Sequence, residues 1–216
     1  MTTTEGALVH LKEHGEIITH DLQIVRERLH GRARVLDIGA GRGSFVIEAR
    51  RQGHEAIALD MDLDAPTVWR PLGLPGVIGI GGRTPFAPGS FDVVRAKEVL
   101  EHVEDPLALV RDARRLLRPG GIFMAHIPTP YSQFYPVANF WDDYTHVRPI
   151  SRFGLTRLMA DAGLRLDLIQ GYMSGRNAAE RAIGLVLAKV LPHMFRVVAT
   201  NLPSSEPQKP RGPAAS

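Results

Sequence analysis

Residues 35 to 43 read VLDIGAGRG, an apolar run carrying one acid, Asp37, and then glycine at Gly39, Gly41 and Gly43. Glycines at alternate positions let a backbone pass close to a ligand. Gly39 permits a tight turn, Gly41 a close approach, and Gly43 close packing of the helix that follows. A dinucleotide fingerprint is spaced G-x-G-x-x-G, but Ser44 stands where its third glycine would fall. A phosphate-binding P-loop needs a lysine, and none follows here. Asp37, before the glycines, would repel phosphate and suits a ligand with an ammonium or sulfonium group. A second acid, Asp60, ends the run EAIALD about twenty residues on, where a carboxylate can accept hydrogen bonds from ribose hydroxyls. A ribose, a cationic amino-acid end and no phosphate describe S-adenosylmethionine.

Moving a methyl group from a sulfonium requires in-line alignment, exclusion of water and, for a hydroxyl acceptor, removal of a proton. Histidine, with an ordinary pKa of about 6.5, suits the last task. Of the nine histidines, His10, His14, His20, His30, His54 and His193 read as surface or packing residues. His102, in VLEHV, and His146, in NFWDDYTHVRPIS, stand apart as catalytic candidates. The second stretch places Phe140, Trp141, Asp142, Asp143, Tyr144, His146 and Arg148 within nine residues, an odd composition for a plain connector. Trp141 and Tyr144 could stack on a sugar or ring, Asp143 could orient and polarise His146, and Arg148 could hold an acidic group. The alternative is a packed loop with Trp141 buried and an ion pair from Asp142 or Asp143 to Arg148. For Glu101 and His102 the alternative is a structural turn. Asp142, Asp143 and His146 could approach a divalent ion, but acid-rich segments are commonly solvated, and no metal is expected.

The elements that must position these residues follow from apolar periodicity. Short runs rich in Val and Ile (RVLDI, EAIALD, GVIGI, FDVVRA, GIFMAHI) alternate with helical or loop segments, which implies βα units and a parallel sheet covered on both faces. RDARRLLRPGG reads as a helix ending on a Pro-Gly-Gly turn, with the next strand starting at Gly121 or Ile122. SRFGLTRLMADAGL reads as a helix capped by Ser151, RLDLIQGY as a strand, AAERAIGLVLAKVL as a helix covering the sheet, and MFRVVATNL as a closing strand. The fold expected is a doubly wound, mostly parallel α/β domain, with ligands beyond the carboxyl ends of the strands. Residues 1–30 form a helical lid or cover, with Leu11, Ile17, Ile18, Leu22, Val25 and Leu29 at helical spacing. Residues 31–202 form the domain, and 203–216, rich in Pro and Ser, a disordered tail.

Composition narrows the setting. With 44% apolar and 23% charged residues over 216, the chain is an ordinary single-domain protein. The absence of cysteine excludes disulfides and thiolate zinc sites and fits a reducing compartment. Neither a signal-peptide pattern nor a membrane-spanning run is visible, so a cytoplasmic location is expected. The net charge of +3 comes from scattered arginines interleaved with acids, and no nucleic-acid partner is expected.

VLDIGAGRG, ALD, TPFAPGSFDVV, KEVLEHVEDP and LLRPGGIFMAHIP occur in this order between about Arg34 and Pro128. Together they resemble the class I S-adenosylmethionine-dependent methyltransferases of the type-11 and type-23 kind. The resemblance implies a seven-stranded Rossmann-like methyltransferase fold with S-adenosylmethionine as cofactor. It implies cofactor contacts from Asp37, Gly39, Gly41, Gly43 and Asp60, with Lys97 and Glu98 lining the methionine end, and a helix-forming segment at KEVLEHVEDP. One departure stands out. The family commonly carries an acid after the third strand that binds the adenine amino group, whereas this chain reads VIGIGGRTPF, with Ile80, Gly81 and Gly82 there. Backbone groups then supply the adenine contacts, or binding is weaker; Arg83 reads as a surface side chain. The D-x-T-H-x-R-P pattern resembles methyltransferases of bacterial saccharide and secondary-metabolite pathways, which implies O-methylation of a small-molecule hydroxyl, a saccharide among the candidates. The alternatives are an N-methyltransferase on a small molecule and a non-catalytic binding protein of the same fold. Oligomeric state is not legible.

Overall fold

A computed structural model describes residues 3–134, 139–173 and 191–203, with side chains from residue 15 onward. The long helix α1 (Thr3–Arg28) leads into β1 (Arg34–Ile38), α2 (Ser44–Arg51), β2 (Glu55–Asp60), α3 (Ala65–Trp69), β3 (Gly76–Ile78) and β4 (Phe91–Lys97). Then come α4 (Pro106–Leu116), β5 (Leu117–Pro128), α5 (Arg152–Ala162), β6 (Arg165–Tyr172) and β7 (Met194–Thr200). The strands form one seven-stranded sheet in the order β3-β2-β1-β4-β5-β7-β6. β1 to β5 pair in parallel and β7 runs antiparallel between β5 and β6. The order reverses between β1 and β4, which opens a crevice at their carboxyl ends, where both candidate sites lie.

Alternation along the central strands sorts the core into two layers. Leu36, Val94, Phe123 and Val197 pack with α4 and α5 through Leu109, Leu116, Leu155 and Met159. Val35, Val93, Met124 and Val198 pack on the other face with α1 and α2 through Leu22, Val25, Phe45 and Val46. Local signals set the boundaries. The Ser151 hydroxyl accepts from the Gly154 amide at 3.1 Å and starts α5, and Asp105 does the same for α4 through Ala108 at 2.9 Å.

Two boundaries differ from expectation. KEVLEHVEDP does not form a helix after β4; residues 98–105 are irregular, and the helix begins only at Pro106, behind its Asp105 cap. That leaves Glu98, Glu101 and His102 on a turn at the sheet edge. β5 starts at Leu117, ahead of the Pro-Gly-Gly turn, but its register with β4 shifts across that turn and runs regularly from Ile122. AAERAIGLVLAKVL, apart from Leu191, and the tail from 204 onward lie outside the described residues. Among the described residues no helix is long and apolar enough to cross a membrane.

Candidate active site

A cleft of about 270 Å³ opens at the end of β1, lined by Asp37, Gly39, Gly41, Lys97 and Glu98 among others. All three loop glycines have left-handed φ, Gly39 at 70°, Gly41 at 51° and Gly43 at 77°. At Gly39 a Cβ would stand 2.4 Å from Val99 Cγ2, so contact as well as φ disfavours a side chain there. Gly43 lies behind the cleft against Leu74 and Trp69. Asp60 tethers the loop, accepting from the Gly41 amide at 2.7 Å and from the Asp62 amide at 3.0 Å. Its carboxylate retains acceptor capacity for ribose hydroxyls.

Asp37 does not stand as an isolated acid. It is buried, and its Oδ1 accepts from Arg95 Nη1 at 2.9 Å. Burial, the largest influence, pushes its carboxyl up, and Arg95 opposes this. Where the family's adenine acid would stand, Gly81 packs so tightly that a Cβ would lie 2.9 Å from Leu109 and 3.1 Å from Ile38. Arg83 is exposed, as expected.

A second cleft, of about 580 Å³, adjoins the first, and Glu98 lines both. Glu98 has φ 54°, the one left-handed non-glycine among the described residues, a strain typical of functional sites. The second cleft gathers Glu101, His102, Tyr144 and His146 from the turn after β4 and the connector before α5. His193, ahead of β7, joins them.

The two candidate histidines do meet, with ring centroids 4.6 Å apart. Asp143, however, does not orient His146. The His146 Nδ1 lies 2.5 Å from the Phe140 carbonyl, which can only accept, so this nitrogen donates and Nε2 is the one left toward the cleft's other groups. Asp143 acts on His102 instead. The Thr145 hydroxyl donates to Asp143 Oδ1 at 2.6 Å and therefore accepts from His102 Nδ1 at 2.8 Å. Burial, followed by the neighbouring His146, lowers the His102 pKa.

Glu101, for which the sequence alone also allows a structural turn, is part of the second cleft's lining. It is fully buried, and neither carboxylate oxygen has a hydrogen-bond partner among the described residues. Burial, then the charges of Glu98 and Asp143, push its carboxyl up to about 8. Glu101, His102 and His146 each offer one donor atom, and these lie within 4.8 Å of one another. Such a set can share a proton with a bound hydroxyl or hold a divalent cation, each imidazole presenting Nε2 while Nδ1 is held from behind. The acids considered first for a metal, Asp142 and Asp143, are committed elsewhere. Asp142 caps the turn through the Asn139 amide at 2.8 Å, and Asp143 holds Thr145.

The remaining candidates divide. Tyr144 lines the second cleft; Trp141 does not, and it is 55% exposed rather than buried. Arg148 donates to the Glu104 carbonyl at 2.8 Å, so it fastens the connector to the turn, and its suggested ion pair with Asp142 or Asp143 is not formed among the described residues. His193, which reads as a surface or packing residue in the sequence, lies in the cleft lining, brought there by the antiparallel return of β7 beside β5.

Known proteins place this geometry. A family model described as a methyltransferase domain matches residues 12–169. A ubiquinone biosynthesis O-methyltransferase of Xanthomonas campestris pv. campestris is 38% identical over 96 residues, 41% of this chain and 40% of that protein. The chain thus spans about two-fifths of that relative's length in the match. A protein of the same name from Xanthomonas euvesicatoria pv. vesicatoria is 31% identical over 181 residues, covering 73% of this chain and 74% of the relative. Among solved structures, a SAM-dependent methyltransferase from Archaeoglobus fulgidus superposes with TM-score 0.68 at 20% identity, over 89% of this chain and 98% of that one.

Proposed function

The chain belongs to the methyltransferase-domain family, within the class I S-adenosylmethionine-dependent methyltransferases, and on that premise we propose that it transfers the cofactor's methyl group to a hydroxyl of a small molecule. The observation that carries this reading is the adjacency of the two clefts through Glu98, with Glu101 and the two histidines on the far side. The donor enters the glycine-loop cleft with its amino-acid end toward Asp37 and its ribose toward Asp60. The acceptor enters the larger cleft, where Glu101, with His146 or His102, takes the hydroxyl proton as the oxygen attacks the methyl carbon. A divalent cation held by the same three groups would supply the alternative, lowering the pKa of a coordinated hydroxyl.

The lining of the larger cleft bears on the acceptor class. It holds Glu98, Glu101, Asp142 and Asp143 and no arginine or lysine among the described residues. An acceptor with a carboxylate or phosphate would meet repulsion there, so a neutral polyhydroxylated molecule, a sugar or glycosylated secondary metabolite, fits the site better. The same acidity keeps an amine acceptor as the second reading. The two Xanthomonas relatives are named as O-methyltransferases, and the same acceptor atom is proposed here. Residues 1–30 are proposed as the cover of the cofactor cleft, residues 31–202 as the methyltransferase domain, and the cytoplasm as the setting.

Calorimetry with S-adenosylmethionine, S-adenosylhomocysteine and NADH, followed by an acceptor screen read by product mass, tests the proposal. Micromolar binding of both sulfur ligands, none of NADH, and methylation of glycosides is the expected result. Binding with transfer only to amines would move the acceptor atom to nitrogen. No binding of either sulfur ligand would overturn the reading and leave a binding protein of the same fold.

A further inference from the structure

Behind the cofactor cleft lies a row of charge that the glycine loop does not account for. Asp37 on β1 and Arg95 on β4 stand opposite each other in register, and both line the cleft. Asp21 reaches the same place from α1. It accepts from Arg95 Nε at 2.8 Å and lies 2.9 Å from His126 Nε2 and 3.4 Å from Arg196 Nε. Ile18, one turn earlier on α1, also lines the cleft.

Arg95 is thus held from two sides, by Asp21 through Nε and by Asp37 through Nη1, and its guanidinium carbon sits 4.3 Å from the Phe45 ring centre. Its third nitrogen, Nη2, is buried and has no partner among the described residues. A guanidinium nitrogen removed from water without an acceptor is unfavourable, and the fork geometry of the group matches a carboxylate. Of the other cations lining the cleft, Lys97 is engaged by Glu98 at 2.5 Å and Arg42 is exposed to water on the glycine loop. An amino-acid end carries both an ammonium and a carboxylate. Asp37 alone complements only the first; Asp37 beside Arg95 complements both.

We propose that Arg95 is a cofactor ligand whose Nη2 edge receives the carboxylate of the cofactor's amino-acid end, with Asp21 as the positioning residue that fixes the guanidinium from α1. This deepens the methyltransferase reading and rests on it. The leading helix then completes the cofactor site chemically rather than only covering it. Removing Asp21 loosens recognition of the carboxylate without touching the adenosine.

The test compares three adenosine ligands by calorimetry: S-adenosylmethionine, its decarboxylated analogue, and methylthioadenosine, which lacks the amino-acid end. The wild type is expected to prefer S-adenosylmethionine over the decarboxylated analogue by about 10-fold or more. Arg95→Lys keeps the charge but loses the fork, and is expected to bring that ratio near one while affinity for methylthioadenosine changes by less than about threefold. Asp21→Asn is expected to narrow the ratio partway. Equal wild-type affinities for the first two ligands would overturn the proposal whether or not any variant folds. A ratio that survives Arg95→Lys, or that is lost in Lys97→Met instead, would overturn it too. If the wild type binds none of the three, the methyltransferase reading itself fails, since methylthioadenosine carries nothing for Arg95 to hold.

Discussion

Two buried acids stand at the carboxyl edge of the sheet, and their surroundings differ. Asp21, under the cofactor cleft, is met by Arg95, His126 and Arg196. Glu101, under the acceptor cleft, is equally buried and has neither oxygen partnered among the described residues. A paired buried charge holds geometry, because breaking the pair strands its partners. An unpaired one keeps its capacity for a proton, a ligand or a metal, and such groups cluster where chemistry occurs. The cofactor side is therefore built to stay still and the acceptor side to react.

The contrast can be tested hardest at Glu101. Glu101→Ala is expected to lower turnover on a methylated acceptor by about a hundred- to ten-thousandfold, with cofactor affinity changed by less than about threefold. Loss of cofactor binding along with turnover would assign Glu101 to the first cleft. Asp21→Ala should act on stability instead. It leaves Arg95 with Asp37 as its one remaining buried counter-charge and takes the acceptor from His126, and urea unfolding is expected to record a loss of about 3–5 kcal/mol.

The two acids also respond to pH in opposite senses. The Glu101 carboxyl is pushed up to about 8 by burial, so between its ordinary value and about 8 the folded state holds more protons than the unfolded one. In metal-free protein, stability therefore falls as pH rises through that window, by at most about 1.4 kcal/mol per pH unit. For Asp21, burial works upward, but His126 and Arg95 outweigh it and hold the carboxyl below its ordinary range. Its contribution is present above the ordinary carboxylate pKa and is lost as pH falls below it. Urea midpoints across pH should show Glu101→Gln flattening the alkaline limb and leaving the acid limb unchanged. The smallest effect is expected at Trp141, half exposed and outside the lining of the acceptor cleft. Trp141→Ala should shift stability by no more than about 0.5 kcal/mol, and a larger loss would mean that the aromatic side chain supports the connector.

The cofactor half of the site was legible because its code is short-range. Gly39, Gly41 and Gly43 carry their meaning within one turn, and Asp60 lies one βα unit away, so spacing alone separated this loop from dinucleotide and phosphate sites. The absence of an adenine acid was equally readable; the packing of Gly81 against Leu109 and Ile38 was not. The acceptor half was read only in part. His102 and His146 are marked by composition, but the Asp143 carboxylate is linked through Thr145 to His102 and not to His146. The choice between the Phe140 carbonyl and Asp143 depends on how a connector folds back over the turn after β4, as when the Val147 amide donates to the Glu101 carbonyl at 2.8 Å.

Apolar periodicity and turn chemistry, both local, determined the strands, the order of the βα units, the glycine loop and the Ser151 cap. They did so because backbone conformation and burial of one face are decided over a few residues. Arg95 could have been noticed as a lone charge in the buried run FDVVRAK, a position where a cation must be paired, yet nothing nearby in sequence names its partners. Asp21 lies 74 residues away and reaches His126 across 105. Only the tertiary structure decides such pairings, because a buried charge is satisfied by whatever the sheet order brings within hydrogen-bonding distance, and separation along the chain carries no information about that.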